Sequence, residues 1–211
     1  MARQPTAARK SGPTPRQILM YFGIAIAAVA LVYAAFGLES DDGPTIEEVA
    51  GSPDIDGETL PAVAPEDEDI AVGGAAPVVT GADFDGNPAT IGDREAELLV
   101  FMAAWCPACQ AELPELVEWL DGGGLPDGVD LTVVSTGLDP TRPPWPPQGW
   151  LERGGYTGEI LVDDAEGSVA QAFGLTGTPF WVVLQDGELV MRASGQLGMD
   201  QVEQIARSIA P

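Results

Sequence analysis

The chain contains only two cysteines, Cys106 and Cys109, in the stretch FMAAWCPACQAELP at residues 101–114. Two thiols at this spacing can form a redox-active disulfide, a structural disulfide or half of a metal site. A structural zinc site needs four Cys or His ligands, and the chain has no histidine. Haem attachment through C-x-x-C-H is excluded because Gln110 follows the second cysteine. An inert disulfide stays open, although so short a loop constrains the unfolded chain little.

The elements around the pair favour redox chemistry. The apolar run at residues 97–102 predicts a buried strand, and residues 106–120 have helical spacing. Pro107 then occupies the first helical position, with Cys106 near the N-cap, where unpaired N–H groups and the helix dipole favour an anion. We therefore predict that Cys106 attacks as a thiolate and that the more enclosed Cys109 resolves the mixed disulfide. Neither a metal nor a cofactor beyond a Cys106–Cys109 disulfide is expected.

From residue 77 to residue 211, strands and helices alternate, which predicts an α/β domain with a mixed sheet. A turn at residues 83–88 separates two short strands. The Asp186-Gly187 pair between two apolar runs is a strong hairpin signal. The further elements predicted are strands at 131–135, 160–162, 180–185 and 188–194, and helices at 149–153, 168–173 and 200–209.

The N-terminal part divides into three segments. Residues 1–17 are a short basic tail, and residues 18–38 are uncharged and almost wholly apolar. A helix of that length spans about 31 Å, which matches a hydrocarbon core of about 30 Å and predicts a single-pass membrane anchor. The basic residues before it and the acids after it place the N-terminus in the cytoplasm and the catalytic domain outside. A cleaved signal peptide is the alternative, and it also exports the domain.

Residues 39–76 carry twelve acidic residues, four prolines and no basic residue. Such a composition buries little apolar surface, so we predict a disordered tether. One marginal helix is expected near residues 45–50, where Thr45 and Glu48 form a capping box.

The formal net charge is −24, and all 33 acidic residues follow residue 38 together with only five arginines. A surface of that sign repels nucleic acid and anionic lipid headgroups, which excludes a nucleic-acid-binding function. The acidic surface attracts basic partners, and adaptation to a salty or alkaline medium produces the same composition.

The stretch FMAAWCPACQAELP, together with Gly177-Thr178-Pro179 before the strand FWVVL, resembles the membrane-anchored TlpA/ResA-like thiol–disulfide oxidoreductases of the thioredoxin superfamily. The resemblance covers residues 77–211. It implies a thioredoxin fold with an extra N-terminal hairpin and an inserted helix and strand near residues 141–164. It also implies a cis peptide bond between Thr178 and Pro179, facing the cysteines, with a substrate-binding surface that includes Trp105 and Pro107.

Glu112 lies three residues after Cys109, on the same face of the predicted helix. An ordinary solvated glutamate is one interpretation, whereas the resemblance implies an acid–base role toward the resolving thiol. Thioredoxins carry a buried aspartate six residues before the first cysteine. This chain has Val100 there, which leaves Glu112 as the nearest acid.

Two tryptophans near the motif have open roles. Trp105 either shields the cysteines and helps substrates dock, or simply packs in the core. Trp145, among prolines in the stretch at residues 141–150, either forms a wall of a substrate groove or belongs to a rigid surface connection.

The resemblance implies an enzyme that reduces disulfides of exported cysteine-containing proteins, including apocytochrome c during cytochrome c maturation. A membrane electron donor of the CcdA/DsbD kind would recharge it. The alternatives are an oxidase that forms disulfides and, from another class, a redox-inert binding or chaperone module.

Overall fold

The computed structural model describes residues 14–36, 43–63 and 68–211. The helices are α1 Pro15–Phe36, α2 Ile46–Val49, α3 Pro107–Asp121, α4 Pro147–Arg153, α5 Ser168–Ala172 and α6 Met199–Ile209. The strands are β1 Asp54–Asp56, β2 Val78–Ala82, β3 Pro88–Ile91, β4 Ala96–Met102, β5 Asp130–Ser135, β6 Glu159–Val162, β7 Phe180–Gln185 and β8 Glu188–Ser194.

A five-stranded mixed sheet with the order β6-β5-β4-β7-β8 organises residues 43–211. Strands β4, β5 and β6 are parallel, β7 runs antiparallel to β4, and β8 runs antiparallel to β7. All seven residues of the central strand β4 are buried, as expected for a strand covered on both faces. The predicted α/β class, the mixed sheet and the type of each predicted element after residue 77 are confirmed.

Each face of the sheet has its own core. Leu98, Val100 and Met102 of β4 face a cluster that includes buried residues of α3, α4 and α6. Leu99 and Phe101 face the opposite cluster, which includes α5 and strands β2 and β3. This alternation follows from the two-residue period of a strand and places the cysteines on the α3 side.

A smaller antiparallel sheet with the order β1-β2-β3 packs in the second cluster. The turn between β2 and β3 is fixed by Asp83, whose Oδ1 accepts hydrogen bonds of 2.9 Å from the N–H groups of Asp85 and Asn87. The expected extra hairpin is thus present, and β1 extends it by a third strand that was not predicted.

The prediction of a disordered tether at residues 39–76 is wrong wherever the structure describes that segment. Helix α2 forms where it was expected, with the Thr45 N–H donating to Glu48 Oε2 at 2.8 Å. Strand β1 pairs with β2, and Leu60 is 7% exposed. The compact unit begins at Gly43 rather than at residue 77. Residues 39–42 and 64–67 lie outside the described residues.

The physical reason is a small number of specific contacts that outweigh an unfavourable composition. Arg192 of β8 has a side chain with no exposure, and it holds Asp69 through two hydrogen bonds of 2.8 and 2.6 Å. The same guanidinium donates to the carbonyl oxygen of Pro61 at 2.9 Å. Both partners belong to the segment that composition alone marks as disordered.

The predicted membrane anchor is not confirmed. Residues 15–36 form the single helix α1, yet in the part of the chain that the structure describes no helix reaches the combination of length and apolarity needed to cross a membrane. Residues 1–13 of the basic tail and residues 37 and 38 of the predicted span lie outside the described residues.

Candidate active site

The cysteines lie where β4 gives way to α3. After β4 the chain turns, with the Cys106 N–H donating to the Ala103 carbonyl at 2.9 Å, and Cys106 becomes the N-cap of α3 with φ −77° and ψ 121°. Pro107 is the first helical residue, where its missing N–H costs no hydrogen bond, and it is exposed beside the thiol. Both thiols are free; Cys106 is 7% exposed and Cys109 is fully buried.

A second loop, distant in sequence, completes the site. Cys106 Sγ lies 3.2 Å from the Thr178 carbonyl oxygen, to which the thiol donates. The Thr178–Pro179 peptide bond is cis, which confirms the prediction. Pro179 is buried, and its carbonyl accepts a hydrogen bond of 2.8 Å from the Gly195 N–H. The structure therefore brings the two parts of the predicted site together across 72 residues.

The two thiols have different tendencies to ionise. Burial by itself disfavours the Cys106 thiolate, but the hydrogen-bonding groups around that sulfur, including the N–H groups of Ala108 and Cys109, outweigh burial and lower its pKa. Burial, together with the neighbouring Cys106 sulfur, raises the pKa of Cys109 to about 12. Cys106 is therefore the thiol that ionises more readily, and Cys109 needs a base to form a thiolate at neutral pH.

Glu112 is fully buried on α3, which rules out the interpretation as a solvated glutamate. Its Oε1 accepts hydrogen bonds from Trp181 Nε1–H at 3.1 Å and from the Leu197 N–H at 2.9 Å. Its Oε2 is buried without a hydrogen-bond partner. Burial raises the pKa of this carboxyl above its ordinary value, and the two hydrogen bonds offset only part of that effect.

Trp105 is half-buried and fixed on both sides. Its Nε1–H donates to the Gly137 carbonyl at 2.6 Å, and the Arg142 guanidinium carbon lies 3.2 Å from the ring centroid, a cation–π contact. Trp105 also packs against the cluster that holds both cysteines. The Trp105 side chain therefore packs against the core and also contributes to the surface beside Cys106.

Trp145 lies near Trp105, and both line a small cavity with Thr136 and Gly137. Its Nε1–H donates to the carbonyl of Pro44 at 2.6 Å, which ties the proline-rich loop to the N-terminal segment. The peptide bonds Pro143–Pro144 and Trp145–Pro146 are cis, and neither was predicted. The inserted elements expected near residues 141–164 are α4 and β6.

Sequence reasoning missed the two donors to Glu112 and the contact between Arg142 and Trp105. A signal for Trp181 existed, because a tryptophan inside an apolar strand needs a partner for its N–H group. The register that brings it to Glu112 is not readable from one sequence. The Leu197 N–H had no signal, because a backbone donor carries no residue type.

No group of three or more His, Cys, Asp or Glu side chains is arranged to hold a metal ion within residues 14–36, 43–63 and 68–211. The thiol pair at the start of α3 and the buried carboxyl group of Glu112, one helical turn after Cys109, are the groups of this site that can do chemistry.

Comparison with known proteins places this geometry in a family. Residues 71–205 match the Redoxin family. The thiol–disulfide oxidoreductases ResA of Geobacillus thermodenitrificans and Geobacillus kaustophilus are each 26% identical over 145 residues, which is 67% of this chain and 80% of each relative.

Solved structures share the fold. A putative thiol:disulfide interchange protein DsbE from Chlorobium tepidum superposes with a TM-score of 0.55 at 16% identity, covering 65% of this chain and 96% of that one. The thioredoxin domain of a thiol–disulfide oxidoreductase from Bacteroides vulgatus gives a TM-score of 0.53 at 20% identity, covering 67% and 99%. The chain belongs to the Redoxin family and is a thiol–disulfide oxidoreductase with a thioredoxin fold.

Proposed function

We propose that the chain reduces disulfides of exported proteins by exchange through Cys106 and Cys109. In the first step the Cys106 thiolate attacks one substrate sulfur and forms a mixed disulfide, while the other substrate sulfur leaves as a thiolate and takes up a proton. In the second step Cys109 loses its proton and attacks Cys106 Sγ, which releases the remaining substrate thiol. Two electrons pass to the substrate, and the enzyme is left with a Cys106–Cys109 disulfide.

The difference between the two thiols carries the proposed exchange, whichever way the electrons move. Cys106 has a lowered pKa at the N-cap of a helix, as an attacking thiol requires. Cys109 is fully buried with a pKa of about 12, so it stays protonated until the mixed disulfide forms. Glu112 is one helical turn from Cys109, buried, and has a free oxygen, which suits it to accept the proton in the second step.

Substrate binding is proposed for the surface around Cys106. The Thr178 carbonyl reaches the attacking sulfur, so an extended substrate segment pairing with the backbone there would bring its disulfide to Cys106. Trp105 and Pro107, the residues before and after Cys106, are half-buried and exposed and would offer an apolar contact, while Pro179 holds the turn.

The proposed location is the extracytoplasmic side of the cell membrane. The order of a basic tail, the apolar stretch 18–38 and an acidic remainder supports it. Substrates would be exported cysteine-containing proteins, apocytochrome c among them, and a membrane donor of the CcdA/DsbD kind would return the electrons. Treatment of spheroplasts with an added protease tests the proposed location. Residues 43–211 should be digested, and full protection of these residues would contradict export.

Activity is tested with the full chain in a dithiol-dependent assay of disulfide reduction. The wild-type protein should be active, and Cys106→Ser should abolish turnover because no other group forms the mixed disulfide. Cys109→Ser should instead accumulate mixed disulfides with its substrates, which mass spectrometry identifies. Full activity of Cys106→Ser would contradict the proposal, and a Cys109→Ser variant that captures nothing would favour the inert binding module.

An oxidase is the second candidate, because a lowered Cys106 pKa stabilises the reduced pair and so favours disulfide transfer to substrates. Pro107 and Ala108 bring no charge between the cysteines, which argues against a strongly oxidising pair. The reduction potential of the purified protein distinguishes the two. A value near that of the strongest oxidants, about −120 mV, would reverse the proposed direction.

A further inference from the structure

Trp181 is the nearest side-chain donor to the buried carboxyl group, and it lies on a different element. It is the second residue of β7 and stands opposite Val100 of β4, so both side chains project toward α3. Its ring is 1% exposed, and its Nε1–H donates to Glu112 Oε1 at 3.1 Å. The indole thus crosses from the sheet to the helix that carries the cysteines.

A second donor reaches the same oxygen. The Leu197 N–H, in the connection between β8 and α6, donates to Glu112 Oε1 at 2.9 Å. Oε1 therefore receives two hydrogen bonds and Oε2 receives none, although both are buried. An oxygen that already accepts two hydrogen bonds from N–H groups is a poor site for a proton, because the new O–H donor would face the two N–H donors.

We propose that Trp181 is a positioning residue which, with the Leu197 N–H, holds Glu112 so that Oε2 is the oxygen that exchanges a proton with Cys109. The inference rests on the proposed function, since it concerns the proton that Cys109 loses in the second step. That proton moves to Oε2 of the carboxylate, the Cys109 sulfur then attacks Cys106 Sγ, and the substrate thiolate is released.

The other charged groups near Glu112 are few. These are the thiols of Cys106, at the N-cap of α3, and of Cys109, together with Glu115 of α3; after burial, the charge of Glu115 also raises the pKa of Glu112. From the start of α6, Asp200 shares a surface groove with Glu115. Strand β7 has no charged residue, and the one acid of β4, Glu97, alternates to the opposite face. The indole N–H is consequently the only side-chain donor to this carboxyl group within the described residues.

The test is the pH profile of the second step in Trp181→Phe. The reduced full chain is mixed with an aromatic disulfide whose leaving thiolate is coloured, so that the first and second steps each release colour. Losing one hydrogen bond should favour the protonated form of the Glu112 carboxyl group. The acidic side of the pH–rate profile of the second phase should therefore move to higher pH, and at a given pH on that side the second phase should be about tenfold slower. The first phase should stay within about twofold.

Two controls make the result specific. Trp150→Phe removes an indole from the same core cluster and should leave both phases unchanged. In a Glu112→Gln background, Trp181→Phe should add nothing, because the group it positions no longer titrates. If Trp181→Phe changes the second phase equally in the wild-type and Glu112→Gln backgrounds, the inference is overturned, and the Trp181 indole serves only to pack the core. Absence of any second phase in the wild-type protein would instead contradict the proposed function.

A spectroscopic readout needs no change at Trp181. In the otherwise native protein labelled with ¹⁵N, the assigned indole N–H resonance of Trp181 should move with pH in one titration. That titration should disappear in Glu112→Gln and persist in Trp150→Phe. A resonance that stays constant while the second step keeps its pH dependence would contradict the positioning role.

Discussion

Glu97 is a second fully buried carboxyl group, at the end of β4 remote from the cysteines. Its Oε2 accepts the Gly92 N–H at 2.7 Å, while its Oε1 lacks a hydrogen bond and lies 4.0 Å from Arg94 Nε. Burial raises its pKa from 4.5 to about 7, and that hydrogen bond and Arg94 offset only part of the increase. The charged form is therefore disfavoured in the folded protein.

Glu97 should make the protein less stable as the pH rises. Below pH 4.5 Glu97 is protonated in both the folded and the unfolded protein, and its contribution to stability is complete. That contribution is lost as the pH rises from 4.5 to about 7. The gap between these values corresponds to about 3 kcal/mol. Glu97→Gln should remove this loss. The difference in free energy of unfolding between Glu97→Gln and the wild type should therefore move in favour of the variant by about 2 to 3 kcal/mol from pH 5 to pH 8.

Urea unfolding at both pH values measures the gain, with the exposed neighbour Glu95 changed to Gln as the control. An equal difference between Glu97→Gln and the wild type at pH 5 and pH 8 would show that the carboxyl is already ionised in the folded state.

At the scale of elements, Arg192 joins the segment before β2 to the main sheet. Besides Asp69 and Pro61, its guanidinium donates to the Phe173 carbonyl at 2.8 Å. The bond to Arg192 lowers the pKa of Asp69, despite some burial of that carboxyl group. The pair thus adds stability above the ordinary carboxyl pKa, and this contribution is lost as the pH falls through the lowered value.

Asp69→Ala should destabilise the protein by about 3 kcal/mol, because it leaves a buried guanidinium without its counter-charge. Residues 57–63 and 68–76 should also become more accessible to proteases. Glu68→Gln, an exposed neighbour, should change neither property. The measurements are urea unfolding and limited proteolysis. If Asp69→Ala resists proteolysis as well as the wild-type protein does, β1 and Leu60 are sufficient to hold the segment before β2 in place.

For the whole molecule, the dominant property is charge. All 33 acidic residues follow residue 38, and of the five arginines there, Arg94, Arg192 and Arg207 are already engaged with carboxylates. Mutual repulsion of so many like charges opposes the compact state, and salt screens it over distances of about 10 Å at 0.1 M.

The melting temperature should therefore rise by several degrees between low salt and about 0.5 M salt. If the acidic surface also serves basic substrates, turnover of a basic disulfide protein should fall over the same range, while that of a neutral small disulfide should not. Equal salt dependence for both substrates would leave salt adaptation as the explanation of the composition.

Local patterns were sufficient to predict the α/β fold, the strand-to-helix position of the cysteines and the hairpin at Asp186. The cis bond at Pro179 followed from the family resemblance. Contacts between distant residues were not readable: Asp69 meets Arg192 across 123 positions and Trp181 meets Glu112 across 69. For that reason an ordered segment was taken for a tether, and the burial of Glu112 stayed undecided until the structure showed its partners.

The division of roles between the two thiols is the central claim, and competitive alkylation tests it directly. The reduced full chain is treated with limiting iodoacetamide at a series of pH values, and the modified cysteine is identified by peptide mass spectrometry. Cys106 should react first, with an apparent pKa below 9.0, while Cys109 stays unmodified at neutral pH. Preferential alkylation of Cys109, or a Cys106 that titrates at or above 9.0, would contradict the account.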